Sequence, residues 1–357
     1  MRRFDMYTLG KLVRSLRKQR GLTQADLAEQ TGIDTATLSK IENGHSMPNK
    51  NTIANLLHKL NFDPGGVVPI LLSEKEARHE ELKSKIYGLT DMQNPEHLQK
   101  LKDFLAELEK NVEFYEDDLN RQWAMKVKAG ILLRPANIAV ATSWGRPGLT
   151  DEERVVEREN FSFSAEVAAS LEEALETSYE AIRITIPIFD IKKTSEYYFS
   201  SFEMHMVSDI ANAYYLKGQE ELAVDAMKGL VKSIDSDNRG TAFLATAYPT
   251  AVGNLCNYLM QSSRHEEVLE YSSNALTKCI QLNLPMVPRL AYFKGWAMLR
   301  LLHKEKGVYD IPEAEEAKAI LRDAYHGCRL IGNKNVQSII EGIFAVRLKT
   351  KVDGTPL

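Results

Sequence analysis

Between Gly21 and Gly44 the chain carries two helix starts and two helix stops, a span with room only for two short helices and a tight turn. Thr23 followed three residues later by Asp26 fits a capping box, in which hydroxyl and carboxylate satisfy each other's backbone N–H groups. That box opens a helix whose Leu27 and Ala28 face inward, and Gly32 closes it through the usual left-handed cap. A second start follows at Asp34, and the helix Thr35 to Asn43 turns Leu38 and Ile41 toward the core. Longer amphipathic segments lie on either side. Leu9, Leu12, Val13 and Leu16 recur at i, i+3, i+4 and i+7 before Gly21, and Ile53, Leu56, Leu57 and Leu60 repeat the pattern afterwards. Four helices in this order predict a helix-turn-helix module, whose second short helix fits the major groove of DNA.

Charge agrees with that placement. Residues 1–65 hold 10 Lys and Arg against 6 Asp and Glu, and the rest of the 357 residues hold 35 against 43, so a basic module precedes an acidic body. An apolar content of 44% supports a buried core. No apolar stretch approaches the roughly 18 residues of a membrane-spanning helix, and the first residues run into an amphipathic segment, which predicts a cytoplasmic protein without a membrane partner. Cys256, Cys279 and Cys328 follow neither a metal-ligand spacing nor an even disulfide count and are expected to be buried free thiols.

The stretch Gly21-Leu22-Thr23-Gln24-Ala25-Asp26-Leu27-Ala28, then Gly32-Ile33, then Leu38-Ser39-Lys40-Ile41-Glu42-Asn43-Gly44 resembles the phage-repressor (Cro and cI type) family over residues 8–63. The resemblance implies residue roles. Gln24, opening the second helix, is expected to touch a phosphate. The start of the third helix offers Thr35 and Ala36 to the bases, with Ser39 and Lys40 one turn on. Lys40 can donate to guanine O6 and N7, while Ala36 offers a methyl contact to thymine. Asn43 and Lys50 match positions that bind phosphate in relatives, and Arg17 with Glu42 matches an internal salt bridge. Relatives gain specific affinity by reading two half-sites, which implies a homodimer on a double-stranded operator.

Asn61-Phe62-Asp63-Pro64-Gly65-Gly66 breaks the helical pattern and places a domain boundary near residue 65, with a connector over 66–94. The apolar run Val67 to Leu72 is expected to dock a short fifth helix. Leu98, Leu101, Leu105, Leu108, Val112, Tyr115 and Leu119 form a heptad seam of about three repeats, compatible with a dimerising coiled coil or with one long helix packed in its own chain.

Residues 95–357 carry an internal repeat. Ile210-Ala211, Tyr214, Gly218, Glu220-Glu221 and Ala223 align at an offset of 45 residues with Leu255-Cys256, Leu259, Ser263, Glu266-Glu267 and Val268. Each segment reads as helix, tight polar turn, helix. A looser third unit runs from Pro288 to about Ile331, with Gly295-Trp296 in one helix, Ala317 and Ala324 in the other, and an extended loop around Gly307 to Pro312. Residues 151–200 are expected to hold another degenerate pair, and Ala141 to Thr150 a loop. The pattern looks like tetratricopeptide repeats, although their usual period is about 34 residues. Stacked pairs of this kind leave a concave groove. Asn212 and Asn257 occupy equivalent places, which in tetratricopeptide folds face the groove, where a row of amides can pair with the backbone of an extended peptide. Tyr215 and Met260, three residues on, share that face, and Arg289 is a candidate for a terminal carboxylate.

The fold class expected is all-α, a helix-turn-helix domain (1–65) followed by a tetratricopeptide-like solenoid. That architecture resembles the peptide-sensing quorum receptors of Gram-positive bacteria, the group of the Rgg, PlcR, NprR and PrgX regulators. The resemblance implies a transcriptional regulator in which a short signalling peptide in the groove of a homodimer changes DNA binding. The alternative is a repressor whose repeats bind a protein partner as a scaffold. The sequence contains no phosphate-cradling glycine loop, zinc motif or nucleophile elbow, and its histidines do not cluster, so neither an enzyme nor a cofactor is expected.

Overall fold

The computed structural model describes residues 6–62, 81–83, 85, 95–143, 149–236, 241–282 and 287–357. Among these, every regular element is a helix, and none is long and apolar enough to cross a membrane. The chain divides into two compact units, one of residues 1–136, 164–213 and 236–243, the other of 137–163, 214–235 and 244–357.

In the first unit, α1 (Met6–Gln19), α2 (Gln24–Thr31), α3 (Thr35–Glu42) and α4 (Lys50–Lys59) enclose one core of Leu9, Leu12, Val13, Leu16, Leu27, Leu38, Ile41, Leu56, Leu57 and Leu60. The capping signals account for the boundaries. Thr23 and Asp26 form the reciprocal box, Gly32 adopts the left-handed cap at φ 68°, and Asp34 accepts the Thr37 backbone N–H. Gly10 sets how closely α1 meets α3: a Cβ there would lie 2.3 Å from the Ile41 carbonyl oxygen. Asp63–Gly66 and Val67–Leu72 lie outside the described residues.

The heptad seam does not form one helix. Leu101, Leu105 and Leu108 of α5 (Pro95–Leu108) are buried against Ala124 and Ile131 of α7 (Asp118–Thr142). The seam then breaks, because Asn111 caps the single turn α6 (Val112–Tyr115) by accepting from Phe114 N, and Asp117 accepts from Asn120 N. These local caps rotate the chain so that Phe114, off the seam, is fully buried against Trp123, while Val112 is left 69% exposed. A continuous coiled coil and a single long helix are both excluded over 98–119.

The degenerate pair expected in 151–200 is also differently composed. α9 (Ala165–Thr185) pairs with α7: Gln122 Nε2 donates to Ala181 O and Thr185 Oγ1, and Ser170 Oγ donates to Leu132 O, an antiparallel register. α8 (Asp151–Glu159) is an insert between the two partners, opened by a capping box of Thr150 and Glu153. Of the loop expected over 141–150, residues 144–148 lie outside the described residues.

In chain order α10 (Ser201–Leu216), α11 (Glu220–Asp235), α12 (Thr241–Gln261), α13 (His265–Leu282), α14 (Val287–Lys306), α15 (Glu315–Leu330) and α16 (Lys334–Ile343) follow; the aligned segments lie on α10–α11 and α12–α13, and the looser third unit on α14–α15. Within the second unit, α13, α14, α15 and α16 pack each on the next. The repeat register is visible in the backbone, since Gly218 and its counterpart Ser263 both take left-handed conformations, φ 79° and 55°. Equivalent helices are tied by ion pairs from Arg264 to Glu221 (3.1 Å), Lys228 to Glu267 (2.5 Å) and Lys278 to Asp235. Small residues permit close approach where the sequence placed them: a Cβ on Gly295 would lie 2.9 Å from Leu321 Cγ and 3.1 Å from Ala317 O. All three cysteines are buried and free.

Candidate nucleic-acid interface and repeat-face sites

The amino end of α3 stands clear of the core. Asp34 holds its first turn by accepting from Thr37 N and Thr37 Oγ1, and these bonds keep its carboxyl below the usual range. Thr35, Ala36 and Lys40 are exposed and Ser39 is half-buried, so the start of α3 presents a hydroxyl and a methyl in its first turn and an ammonium about one turn on. Beneath it, Arg17 donates from Nε to Glu42 Oε1 at 2.5 Å and from Nη2 to Oε2 at 2.8 Å, and Nη1 donates to Leu22 O. Burial alone would raise the Glu42 carboxyl, but hydrogen bonds from Arg17 and Gln24 hold it low. The implied internal salt bridge is therefore present, fastening α1 to the carboxyl end of α3. Gln24, half-buried at the start of α2, donates from Nε2 to Glu42 Oε2 at 2.8 Å. Asn43 is exposed and spends an amide hydrogen on Ser39 O. Lys50 opens α4, and its side chain lies outside the described part.

The module is anchored within the first unit by residues that periodicity did not single out. Gln19 Nε2 donates to Tyr198 O and Gln19 Oε1 accepts from Tyr198 N, so one amide reads a backbone as a strand neighbour would. Arg20 donates to Glu203 Oε1 and to Asn61 O.

Of the repeat-face residues, Asn212 in the first unit is half-buried on α10. One turn before it, the Asp209 carboxylate lies 3.7 Å from Lys126 Nζ, and burial pushes that carboxyl upward. In the second unit Asn257 and Met260 are half-buried on α12. Tyr215 differs from the expectation of an open groove contact. It is 2% exposed, stacks on Tyr258 at 5.0 Å between ring centroids, and is covered by the Arg158 guanidinium of α8 at 5.3 Å. Arg158 is fixed there by Glu220 at 2.6 Å. Arg289, in the first turn of α14, donates from Nη2 to Asn254 Oδ1 at 3.1 Å and lies over the Phe293 ring. The groups that sequence reasoning missed around it are Gly253, Asn254, Tyr258 and Tyr292. Asn254, three residues before Asn257, and Tyr292, three residues after Arg289, each carried a periodic signal.

The helix-turn-helix family model matches residues 13–67. A curated relative, the ImmF control region 10 kDa protein of Bacillus phage phi105, is 34% identical over 59 residues, which are 16% of this chain and 66% of that protein. The chain thus spans just under two thirds of the curated relative's length. Among solved structures, PlcR of Bacillus thuringiensis in complex with the peptide PapR7 and DNA has 16% identity and a TM-score of 0.49, covering 94% of this chain and 99% of PlcR. ComR of Streptococcus suis has 16% identity and a TM-score of 0.37, covering 97% and 96%. ComR of S. thermophilus in complex with DNA and its signalling peptide ComS has 13% identity and a TM-score of 0.36, covering 93% and 97%. Capped helices, exposed third helix and family match agree: the amino-terminal module of this chain is a helix-turn-helix domain, followed by paired helical repeats.

Proposed function

We propose that this protein is a DNA-binding transcriptional regulator whose helical repeats bind a short signalling peptide. The observation that carries the reading is the presentation of α3, whose Thr35, Ala36 and Lys40 face solvent on a module clamped into the first unit through Gln19 and Arg20. In this reading Thr35, Ala36, Ser39 and Lys40 meet base edges, and Asn43 and Lys50 meet phosphates. Gln24, its amide held by Glu42, meets a phosphate as well. Domain boundaries at residues 65 and 95 separate reading head, connector and sensor, and the operator is bound by a homodimer.

For the peptide the support is the half-buried groups with hydrogen-bonding capacity on the repeats of the second unit, Asn257 and Arg289, and, taken by itself in the first unit, Asn212. PlcR with PapR7 and DNA, and ComR with ComS and DNA, each hold the two kinds of partner proposed here. A peptide acts only through unequal affinity for two arrangements of the regulator, and a nearly complete shift needs about 5 kcal/mol of that difference. The test is calorimetry of the full-length protein with a randomised mixture of short synthetic peptides, paired with gel shifts on duplexes selected from a random pool. Heat of binding together with a peptide-dependent change in DNA affinity is expected. Binding of duplex that no peptide in the mixture alters would reject the sensing role.

A further inference from the structure

Tyr215 and Glu220 stand on either side of one repeat turn, at the end of α10 and the start of α11, with the left-handed Gly218 between them. Gly218 N donates to Tyr215 O at 3.0 Å, so the turn holds the two side chains at a fixed spacing within the second unit. Ring and carboxylate share one guanidinium. The Cζ of Arg158 lies 5.3 Å from the centroid of the Tyr215 ring, and its Nη1 donates to Glu220 Oε2 at 2.6 Å. An aromatic face for the flat π system and a carboxylate for the N–H edge are the two groups that recognise an arginine. The ring is backed in turn by Tyr258, stacked at 5.0 Å. The repeat turn itself does not require this pair, since 45 residues on the place of Tyr215 is taken by Met260.

The arginine in question comes from a helix that contributes nothing to the core. In α8 none of the side chains of residues 152–159 is buried, and Val155 and Val156 are 52% and 56% exposed. The other described helices of eight residues or more each bury apolar side chains. The chain is anchored just before α8, where Leu149 is buried and its carbonyl accepts from Arg347 Nη2 at 2.5 Å. Beyond that anchor α8 meets the repeats through polar side chains. Polar contacts exchange for those of water or of a ligand at little net cost, whereas buried apolar area does not. Arg158 also keeps 29% of its side chain exposed, so solvent already reaches the place it fills.

We propose that Tyr215 and Glu220 form a seat for a guanidinium, which Arg158 fills in the ligand-free chain and an arginine of the bound peptide takes over. The inference rests on the peptide-binding reading above and names a side chain that the peptide carries. The charge of the body favours such a ligand, with 35 Lys and Arg against 43 Asp and Glu over residues 66–357. Exchange of one guanidinium for another leaves neither the Glu220 carboxylate unpaired nor the Tyr215 ring bare. Arg158 is then an internal competitor, and the fraction of molecules in which α8 has yielded sets the apparent affinity for the peptide. Displacement frees α8 from the repeats while the anchor at Leu149 stays in place.

The test uses randomised short peptides that carry one fixed arginine or, in its place, one fixed citrulline, which has nearly the same shape and no charge. Full-length protein is titrated calorimetrically with each mixture and with the randomised mixture lacking a fixed residue. Wild type is expected to prefer arginine to citrulline by about tenfold, the size of a charge-assisted bond. Arg158→Ala empties the seat and should raise affinity for the arginine mixture by about fivefold or more, the factor by which a closed α8 reduces the competent fraction. Glu220→Gln should remove the preference for arginine. In wild type, amide hydrogen exchange within α8 should quicken when the arginine mixture binds and not when the citrulline mixture does, a readout that needs no variant to fold. Unchanged or weaker arginine binding by a folded Arg158→Ala, or slower exchange in α8, overturns the proposal and leaves Arg158 a structural clamp. Binding of the randomised mixture with no advantage for arginine overturns the seat and leaves the peptide reading standing. No binding of any mixture by wild type or by Arg158→Ala overturns both.

Discussion

Arg20 and Glu203, 183 positions apart, meet as a buried ion pair at 3.3 Å with side chains only 5% and 1% exposed. Burial lowers the Arg20 pKa and the Glu203 carboxylate opposes that shift, supplying the counter-charge of the buried guanidinium. Glu203 has a second role, accepting from Ser200 N with its other oxygen at the start of α10. Removing one partner of such a pair strands the other charge and costs about 3–5 kcal/mol. Glu203→Ala should lower stability by about that amount in chemical denaturation and release the DNA module from its dock, seen as new protease sensitivity within α1 to α4. The double variant Arg20→Met with Glu203→Leu should recover most of the loss.

Gly10 yields a second prediction. With the Ile41 and Glu42 carbonyl oxygens 2.3 and 2.9 Å from any added Cβ, Gly10→Ala must push α1 off α3 and stretch the Arg17–Glu42 pair. Overpacking against backbone costs about 1–3 kcal/mol. A loss of DNA affinity should accompany the loss of stability, because the same shift tilts the recognition helix.

The repeat turns offer a matched test. Ser263 tolerates a left-handed backbone that its counterpart Gly218 adopts freely. Ser263→Gly should stabilise the protein by about 0.5–1 kcal/mol, and Gly218→Ala should destabilise it by about 1 kcal/mol. Differential scanning calorimetry reads both, and equal effects of one sign would contradict the alignment of the two turns.

Acid should loosen the repeats through His265. It is 3% exposed, its Nε2 accepts from Arg300 Nε, and burial lowers its pKa from 6.5 to about 4. The folded state thus holds the neutral ring, while the unfolded chain takes up a proton below 6.5. The contribution is fully present above pH 6.5 and is lost as pH falls toward 4, by at most roughly 3 kcal/mol. Replacing His265 with Gln should flatten the stability curve across that window.

The helix-turn-helix module was legible in the sequence because its signals are local: Thr23 with Asp26, Asp34 with Thr37 and Gly32 each act within a few residues, and each stands where spacing placed it. The repeat register was legible for the same reason, through Gly218 and Ser263. Periodicity misled where a local cap competed with it. Asn111 ended the leucine seam and let Phe114 take the core position that the heptad gave to Val112. The dock of Gln19 and Arg20 on Tyr198 and Glu203 spans nearly 180 residues and has no periodic trace. Nor could spacing place Arg158 over Tyr215, because α8 reaches that ring by tertiary packing alone.

In the function proposed above, reading of DNA by α3 through Thr35 and Lys40 is the step on which everything else depends. It is tested most directly by fluorescence anisotropy of full-length wild type and the double variant Thr35→Ala, Lys40→Ala on duplexes selected by wild type from a random pool. Specific affinity should fall by about tenfold or more with an unchanged helical spectrum. Undiminished specific binding by the double variant would contradict that role for α3.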